Sequence, residues 1–382
     1  MASFRLRKLL RSVHLWVGLC LAILFIPLGL SGSWLVFSDD FDRMLHPHRY
    51  HATAADMELS PSKYFGAAQQ AFGARARVAQ LRMPEDDGQP AVVSSAKGLT
   101  AWLDPASGKV LDVGNPRVEI RALAHQFHET LFLAQPGRRI VGWLGVAMFI
   151  SSVTGLIIWW PPNNAIIKGL RWRRSPLVWS NIHHLVGFWS SLLLAILSLT
   201  GVALAFPELL RPSGGAHGME RFGGPRGRLF AGPTMASPHL SADEAVALAE
   251  KAENAMDFMA VSLPTQGDEP SWRVTVLGSN GTSMVAVDDK TGQASASTGF
   301  QGRAFEGGRS GERRFGGPAE GRRGPNPAMR VVRLLHAGND AGFAWRIVIF
   351  IVGLIPSLLG ITGVLIWLKT RRRSEAVLSK AG

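Results

Sequence analysis

Four histidines in this 382-residue chain each precede a Ser-Gly or Thr-Gly pair at a repeated spacing, and they are the residues best suited to chemistry. The histidines are His14, His128, His183 and His336, and the glycines that follow them are Gly32, Gly155, Gly201 and Gly363. The interval is 18 residues after His14 and His183, and 27 residues after His128 and His336. The matched intervals predict one two-helix unit used twice, each copy placing a histidine at each membrane face.

The four histidines are candidate ligands of haem iron. Ionisable side chains at membrane depth are costly and usually functional. Two neutral imidazoles complete the axial positions of haem iron, and helix bundles build such sites from facing helices. If the halves pack about a pseudo-twofold axis, His14 faces His183 and His128 faces His336. We therefore predict two haem b groups per chain; the alternative is interfacial histidines that bond backbone or lipid headgroups.

Other ligand assignments are weaker. Zinc is disfavoured because no cysteine or carboxylate pair stands at ligand spacing. His184 competes with His183, but adjacent helical residues point about 100° apart, and the repeat selects His183. His125 is the nearest competitor to His128. A separate loop cluster follows the first apolar run and is predicted to be solvated, with metal contact as the alternative: His46, His48 and His51.

Small residues accompany the histidines. Gly18 and Gly187 each follow a histidine by four residues and share its helix face, which leaves room for a flat group or another helix. The Ser-Gly and Thr-Gly pairs lie at the level of the opposite histidine pair. The glycines predicted to pack on haem faces are Gly18, Gly187, Gly32, Gly201, Gly155 and Gly363. The alternative for them is close packing between helices.

Four windows of about 20 apolar residues are long enough to span a bilayer. They are 14–37, 139–160, 182–206 and 343–368. Clusters of Lys and Arg lie at 5–11, 168–174 and 369–373, and the positive-inside rule makes that side cytoplasmic. Arg138, Arg139 and Arg346 are exceptions on the other side. The formal charge of +13 is thus assigned to membrane faces and loops, and we predict no nucleic-acid partner.

The predicted fold class is an integral membrane α-helical protein with four transmembrane helices in two duplicated halves and two periplasmic α+β modules. The N-terminus (1–13), the loop 161–181 and the tail 369–382 are cytoplasmic. Segment 38–138 is the first module and 207–342 the second. The first run is predicted to be an uncleaved helix, because it is too long for a signal peptide. The chain has one cysteine, Cys20, so an intramolecular disulfide is excluded.

Each module is predicted from a capped helix and short strands. The first has a helix at 59–72 and strands at 77–83, 90–95, 99–104 and 109–113; the second has a helix at 240–252 and strands at 272–277 and 283–287. Asp-x-x-x-Gly turns recur at 104–108 and 288–292. A helix is predicted at 117–133, and Pro136-Gly137 is predicted to break the chain before the second transmembrane helix.

Two Gly/Arg-rich inserts interrupt the second module, at 211–235 and 300–328. They are predicted to be linkers, with a basic docking surface for an acidic ligand as the alternative. At an offset of 208 residues, Arg138 falls on Arg346, Gly145 on Gly353 and Trp159 on Trp367. These matches favour an internal duplication of helices and modules together.

The chain resembles the PepSY-associated transmembrane family. The residues that carry the resemblance are the His-Leu-Trp-Val-Gly start at 14–18, His-Glu-Thr-Leu-Phe at 128–132, the stretch 183–187, the repeated Thr-Gly pairs and the two turns. The resemblance covers nearly the whole chain except the two inserts. It implies a bacterial inner-membrane protein with PepSY folds outside, and some similar proteins are di-haem ferric-siderophore reductases. By that resemblance the four histidines would be axial ligands.

The sequence and the resemblance together predict a transmembrane electron carrier that reduces a periplasmic ferric chelate for iron uptake. No Gly-x-Gly-x-x-Gly opens a helix after a strand, so the sequence shows no dinucleotide-binding signature and the electrons must come from another molecule. That donor would be a cytoplasmic flavoprotein or a quinol. The partners would be the chelate, the donor and the lipid bilayer. Two alternatives stay open: a non-enzymatic sensor whose modules bind a partner, and a transporter of the chelate.

Overall fold

The computed structural model describes residues 2–52, 59–84, 88–160, 175–210, 233–267, 269–278, 281–296, 302–303, 327–338 and 341–378. The chain divides into two compact units, which we treat separately. The membrane unit comprises Met1–Ser38, Leu123–Ala216 and Pro327–Gly382. The sheet unit comprises Asp39–Ala122 and His217–Asn326. Most of the predicted inserts at 211–235 and 300–328, and residues 161–174 of the predicted loop, lie outside the described residues.

Nine α-helices are described, and four of them are long. In chain order they are α1 (Ala2–Val36), α2 (Ser38–Leu45), α3 (Pro61–Phe72), α4 (Ile120–Thr130), α5 (Ala134–Trp159), α6 (Val178–Ala205), α7 (Ala242–Glu253), α8 (Pro327–Ala337) and α9 (Gly342–Leu378). Helices α1, α5, α6 and α9 are apolar and long enough to cross a membrane. The shortest, α5, has 26 residues, or about 39 Å at 1.5 Å per residue.

Helices α1 and α9 extend beyond their predicted windows on the side of the basic clusters. Helix α1 begins at Ala2 instead of residue 14, and α9 continues to Leu378 instead of ending at 368. Lys and Arg are good helix formers with long side chains that reach water from a helix end, so charge marks the limit of the apolar span but not the end of the helix.

Glycines bring the long helices together in two close pairs. Helix α1 packs mainly on α9, and α5 mainly on α6. A Cβ placed on Gly29 of α1 would lie 2.7 Å from the carbonyl oxygen of Gly353 in α9. A Cβ on Gly145 of α5 would lie 2.9 Å from Cγ2 of Val202 in α6. The 208-residue match of Gly145 with Gly353 therefore joins two packing glycines, as expected where small residues let helices approach.

Two arginines that break the positive-inside pattern cap the ends of other helices. Arg346 of α9 donates from Nη2 to the carbonyl of Val36, the last residue of α1, at 2.8 Å. Arg138 of α5 donates from Nη2 to the carbonyl of Leu204, next to the end of α6, at 2.8 Å. The last carbonyls of a helix have no partner within it and carry partial negative charge. These guanidinium groups therefore have a structural role, which the positive-inside rule does not take into account.

The connection between α4 and α5 does not break where the sequence predicted. Pro136 and Gly137 lie inside the first turn of α5, where a missing N–H is tolerated. The break lies at Leu131 and Phe132, whose φ angles are 50° and 61°. Gly137 is needed for close approach instead, because a Cβ there would lie 1.7 Å from the carbonyl oxygen of Thr130.

In the described part of the sheet unit, nine strands form one antiparallel sheet. They are β1 (Val78–Arg82), β2 (Ala91–Ser95), β3 (Thr100–Leu103), β4 (Val110–Gly114), β5 (Asp257–Ser262), β6 (Ser271–Gly278), β7 (Gly281–Asp288), β8 (Ala294–Ala296) and β9 (Gly302–Arg303). The order is β4-β3-β2-β1-β5-β6-β7-β8, with β9 paired to β7. The sequence prediction missed β5, β8 and β9.

The two predicted modules share one sheet and one core. Strand β1 pairs with β5 in the register Gln80 to Ser262, which joins residues 182 positions apart. Helices α3 and α7 contact the sheet and each other, and the backbone N–H of Ser62 donates to Asp243. A single cluster of buried apolar residues runs from Tyr64 to Val287. The boundary drawn between the modules therefore does not separate two cores.

The two Asp-x-x-x-Gly turns close in the same way. Gly108 has φ of 68° and Gly292 has φ of 69°, and each donates its N–H to the carbonyl of the aspartate four residues earlier. The Asp104 carboxylate accepts from Ser107, and that of Asp288 accepts from Thr291. Both turns therefore require the left-handed conformation that glycine adopts without strain.

Candidate functional site

The structure brings the four histidines together in two pairs. His14 of α1 and His183 of α6 form the first histidine pair, with ring centroids 6.3 Å apart and ring planes at 83°. His128 of α4 and His336 of α8 form the second histidine pair, with centroids 6.4 Å apart and planes at 45°. These are the pairings that the duplicated spacing predicted. The role of the side chains as ligands stays a prediction.

The first histidine pair is held by α5 and α9. The Nδ1 of His14 lies 3.1 Å from the carbonyl oxygen of Ser151 and 3.3 Å from Oγ1 of Thr154. The Nδ1 of His183 lies 2.9 Å from Oγ1 of Thr362, with the carbonyl of Leu359 as its backbone partner. Each imidazole thus reaches across to a helix that carries a Thr-Gly pair.

The second histidine pair is held by α1 and α6 in the same way. The Nδ1 of His128 lies 3.0 Å from the carbonyl oxygen of Leu28 and 3.2 Å from Oγ of Ser31. The Nδ1 of His336 lies 3.1 Å from the carbonyl oxygen of Leu197 and 3.0 Å from Oγ1 of Thr200. At each site the carbonyl belongs to the residue three positions before the hydroxyl.

These contacts fix which ring nitrogen carries the proton. A backbone carbonyl can only accept a hydrogen bond, so every Nδ1 must be the N–H donor. A neutral imidazole then has its lone pair on Nε2, the nitrogen available to a metal. Hydrogen bonding at Nδ1 is how ligand histidines in metalloproteins are usually oriented. All four histidines therefore have the tautomer and restraint of a metal ligand.

The glycines of the Ser-Gly and Thr-Gly pairs lie under the imidazole rings. A Cβ on Gly32 would lie 2.6 Å from Cε1 of His128, and one on Gly155 would lie 3.0 Å from Cε1 of His14. A Cβ on Gly201 would lie 3.1 Å from Cε1 of His336. One on Gly363 would lie 3.6 Å from Cε1 of His183. The sequence predicted haem-face packing here, whereas the described contacts of these glycines are with histidine rings.

Gly18 and Gly187 differ from the other four. No atom lies within 4 Å of a Cβ placed on Gly18, and the nearest to one on Gly187 is Cδ2 of Leu359 at 3.9 Å. The space beside these glycines lies one turn from His14 and His183. A flat group beside the first histidine pair is the use that the sequence predicted for it, and that use stays a prediction.

The spacing of both pairs suits two imidazoles on one metal ion. A metal–imidazole bond is roughly 2.0 Å, and a ring nitrogen lies about 1.15 Å from the ring centroid. Two imidazoles on opposite sides of one ion therefore place their centroids about 6.3 Å apart. The measured 6.3 and 6.4 Å agree with that value. The residues present therefore fit a haem iron with two histidine ligands at each pair.

Burial favours the neutral imidazole in the second histidine pair. It lowers the pKa of His128 to about 4, with a further contribution from His336, and it also lowers the pKa of His336. Desolvation disfavours the charged form because the imidazolium loses its water. Neutral imidazole is the form that ligates metals.

The competing histidines do not face a pair. His184 turns back on its own helix, where its Nδ1 lies 2.9 Å from the carbonyl oxygen of Ser180. His125 is half exposed and lies 3.3 Å from a carboxylate oxygen of Glu129. Both are matched controls for substitutions at His183 and His128.

The two pairs lie at opposite ends of the long helices. In α1, His14 belongs to the first pair and Ser31 contacts the second; in α6, His183 and Thr200 have the same relation. Each interval is 17 residues, or about 26 Å of helix. That length is comparable with the hydrocarbon core of a bilayer, roughly 30 Å.

Sequence reasoning did not anticipate the hydroxyl and carbonyl partners of the histidines. The signal was available, since Ser or Thr precedes each glycine of the repeated spacing: Ser31, Thr154, Thr200 and Thr362. The carbonyl partners carry no side-chain signal. They follow from helix geometry, because residues three apart share a helix face.

Four helices long and apolar enough to cross a membrane are compatible with a multi-pass membrane protein, and the chain also contains an antiparallel sheet. The sequence profile of the PepSY-associated TM region matches residues 11–370. The chain therefore belongs to the PepSY-associated transmembrane family. A search of curated proteins found no match.

Proposed function

We propose that this protein carries electrons across the bacterial inner membrane and reduces a ferric siderophore or another ferric chelate for iron uptake. Two haem b groups would be held, one by His14 and His183 and the other by His128 and His336. Bound haem would supply one-electron redox chemistry. Both termini would be cytoplasmic and the sheet unit would be periplasmic. The chain would consist of two duplicated halves.

The observation that carries the proposal is the geometry of the histidine pairs. Their centroid separations of 6.3 and 6.4 Å match two imidazoles on one metal ion. The Nδ1 contacts leave Nε2 as the free nitrogen in all four rings. Unrelated interfacial histidines have no reason to share the separation, the tautomer and a glycine beneath the ring.

The chain's own residues would position the two centres. Thr154 and Thr362 would hold the imidazoles of the first pair, and Ser31 and Thr200 those of the second. Placing the pairs at opposite ends of α1 and α6 connects the two membrane faces. The electron donor would be a cytoplasmic flavoprotein or a quinol acting at the first pair, and the chelate would be reduced near the second.

Visible spectroscopy of the detergent-purified full chain tests the haem assignment. The reduced-minus-oxidised spectrum and a pyridine haemochrome assay should give two b-type haems per chain. His14→Ala and His336→Ala should each leave one, and the double variant none. His183→Ala should lose one haem, whereas His184→Ala, its matched control, should keep both.

The outcomes separate the proposal from its alternatives. A chain that is folded and binds no haem, after expression with adequate haem supply, would overturn the proposal and favour a non-enzymatic partner-binding protein. If the protein binds two haems but its dithionite-reduced form does not reduce a ferric chelate, the proposed electron transfer stands and the chelate is not its acceptor. Uptake of the chelate into sealed vesicles without a reductant would indicate a transporter.

A further inference from the structure

One histidine and three carboxylates lie close to the buried Arg49 of the sheet unit: His46, Asp42, Asp112 and Glu119. One ligand atom from each of Asp42, His46 and Glu119 lies within 4.8 Å of the other two. The Nδ1 of His46 is 3.0 Å from Oδ1 of Asp42. We propose that Asp42, His46 and Glu119 bind a divalent transition-metal ion, at a site separate from the histidine pairs.

The donor set defines the class of ion. One imidazole and two carboxylates form a mixed nitrogen and oxygen site, suited to Mn(II), Fe(II), Co(II) or Zn(II). Calcium and magnesium prefer oxygen ligands alone, and the described cluster contains no cysteine for softer ions. Three ligand atoms on one side also leave coordination positions for water.

Arg49 holds the carboxylates of the cluster in place but does not balance their negative charge. Its side chain is 4% exposed, and it donates to Asp112 at 2.7 Å and to Glu119 at 2.8 and 3.2 Å. Asp42 lies 3.8 Å from the same guanidinium. The three carboxylates, those of Asp42, Asp112 and Glu119, and the one guanidinium sum to a charge of −2. A divalent cation would neutralise that charge.

Hydrogen bonds also fix the orientation of the proposed ligands. The Tyr50 hydroxyl donates to Oδ2 of Asp42, which leaves Oδ1 toward His46. Arg49 holds both oxygens of Glu119, and a carboxylate has lone pairs enough to accept these bonds and ligate an ion. Ligand carboxylates in metal sites are commonly hydrogen-bonded in this way.

His48 and Asp112 adjoin the cluster and offer a further donor pair. The Nε2 of His48 lies 3.3 Å from Oδ2 of Asp112, and the His46 and His48 rings are 6.2 Å apart. The side chain of His48 is half-exposed. The loop histidines, predicted to be solvated, are thus partly engaged by carboxylates.

The site would also have a use if the proposed function holds. Fe(II) belongs to the ion class that this donor set takes, and it is the product that reduction of a ferric chelate would release. The metal site does not depend on haem, so either assignment can fail without the other. His14→Ala, which should lose a haem, should bind the divalent ion as the wild type does.

Binding of Mn(II) to the purified full chain tests the site. The room-temperature EPR signal of free Mn(II) disappears on binding, so a titration gives stoichiometry and affinity without interference from iron. We expect one saturable site per chain. His46→Ala should weaken binding at least tenfold, and Glu119→Gln, which keeps the side-chain shape, should do the same.

His125→Ala is the matched control, because it removes a histidine that pairs with a carboxylate, Glu129, at the same 3.3 Å as His48 and Asp112 but lacks a third ligand. It should leave the affinity unchanged. Circular dichroism and the melting temperature establish that each variant is folded. Absence of saturable Mn(II) and Zn(II) binding to the wild type, or equal binding by His46→Ala, would overturn the proposal.

Discussion

Under the proposed function, replacing the four glycines beneath the histidine rings with alanine should weaken haem binding in a graded order. The added Cβ would lie 2.6 Å from the ring at Gly32, 3.0 Å at Gly155, 3.1 Å at Gly201 and 3.6 Å at Gly363. Contacts under 3.4 Å are tighter than nearly all real Cβ contacts. Gly32→Ala should therefore have the largest effect and Gly363→Ala the smallest.

The magnitude follows from the movement that each substitution forces. Moving the His128 ring from 2.6 to 3.4 Å from the new methyl requires a shift of about 0.8 Å. A shift of that size weakens the bond from Nδ1 to the Leu28 carbonyl, now 3.0 Å. Loss of such a partner typically reduces metal affinity 10–100-fold. We expect that range for Gly32→Ala and less than threefold for Gly363→Ala.

Haem titration of the apoprotein, followed by a potentiometric titration of each variant, measures the effect. His14→Ala and His336→Ala identify which haem is changed. Alanine stabilises a helix by about 1 kcal/mol relative to glycine, so a general loss of helix stability cannot explain reduced binding. Equal effects of Gly32→Ala and Gly363→Ala, or unchanged binding in Gly32→Ala, would refute the reasoning.

Three further predictions concern stability of the full chain in detergent. Arg49→Met should destabilise the sheet unit by about 3 kcal/mol, because it leaves partly buried carboxylates without their cation; hydrogen exchange of β4 measures this. Burial opposes ionisation of Asp112, but Arg49 holds the net pKa of that carboxyl below its ordinary value. The resulting stability is present above about pH 4 and lost as the pH falls, and this dependence should be smaller in Arg49→Met, where the hydrogen bonds from Val113 and His48 remain. Asp289→Ala should cost about 3 kcal/mol in urea unfolding, because the fully buried carboxylate accepts three hydrogen bonds, whereas Asp289→Asn should cost less. Ala134→Gly should raise the melting temperature by removing roughly 1 kcal/mol of strain at φ of 52°, and Gly342→Ala, at φ of 79° in the matched position, should lower it; unchanged melting in both would contradict the strain argument.

The helices and their histidines could be read from the sequence because local patterns determine them. Apolar runs of bilayer length specify the four long helices, and a fixed spacing of His14 from Gly32 repeats at His183 and Gly201. A repeated spacing on a helix implies a repeated position on its face. The pairing of His14 with His183 is the one that packing of two similar halves would give.

The sequence misplaced features that depend on contacts between distant segments. Pro136 was read as a break, although it fits the first turn of α5. The strand β5 was missed, and with it the pairing to β1 that merges two predicted modules into one core. Pairing between strands about 180 residues apart leaves no local sequence pattern. The alternation of buried and exposed side chains along a strand is the same whichever strand lies beside it.

The sequence by itself determined which residues could carry the chemistry: four histidines, each at a fixed distance from a hydroxyl and a glycine. Only the tertiary structure decided what those neighbours do. It placed each Nδ1 against a carbonyl on another helix and each glycine beneath a ring. It also gathered Arg49, Asp112 and Glu119 around one point in the sheet unit. Spacing along a helix is set by local hydrogen bonds, whereas the partner across an interface is set by packing of the whole chain.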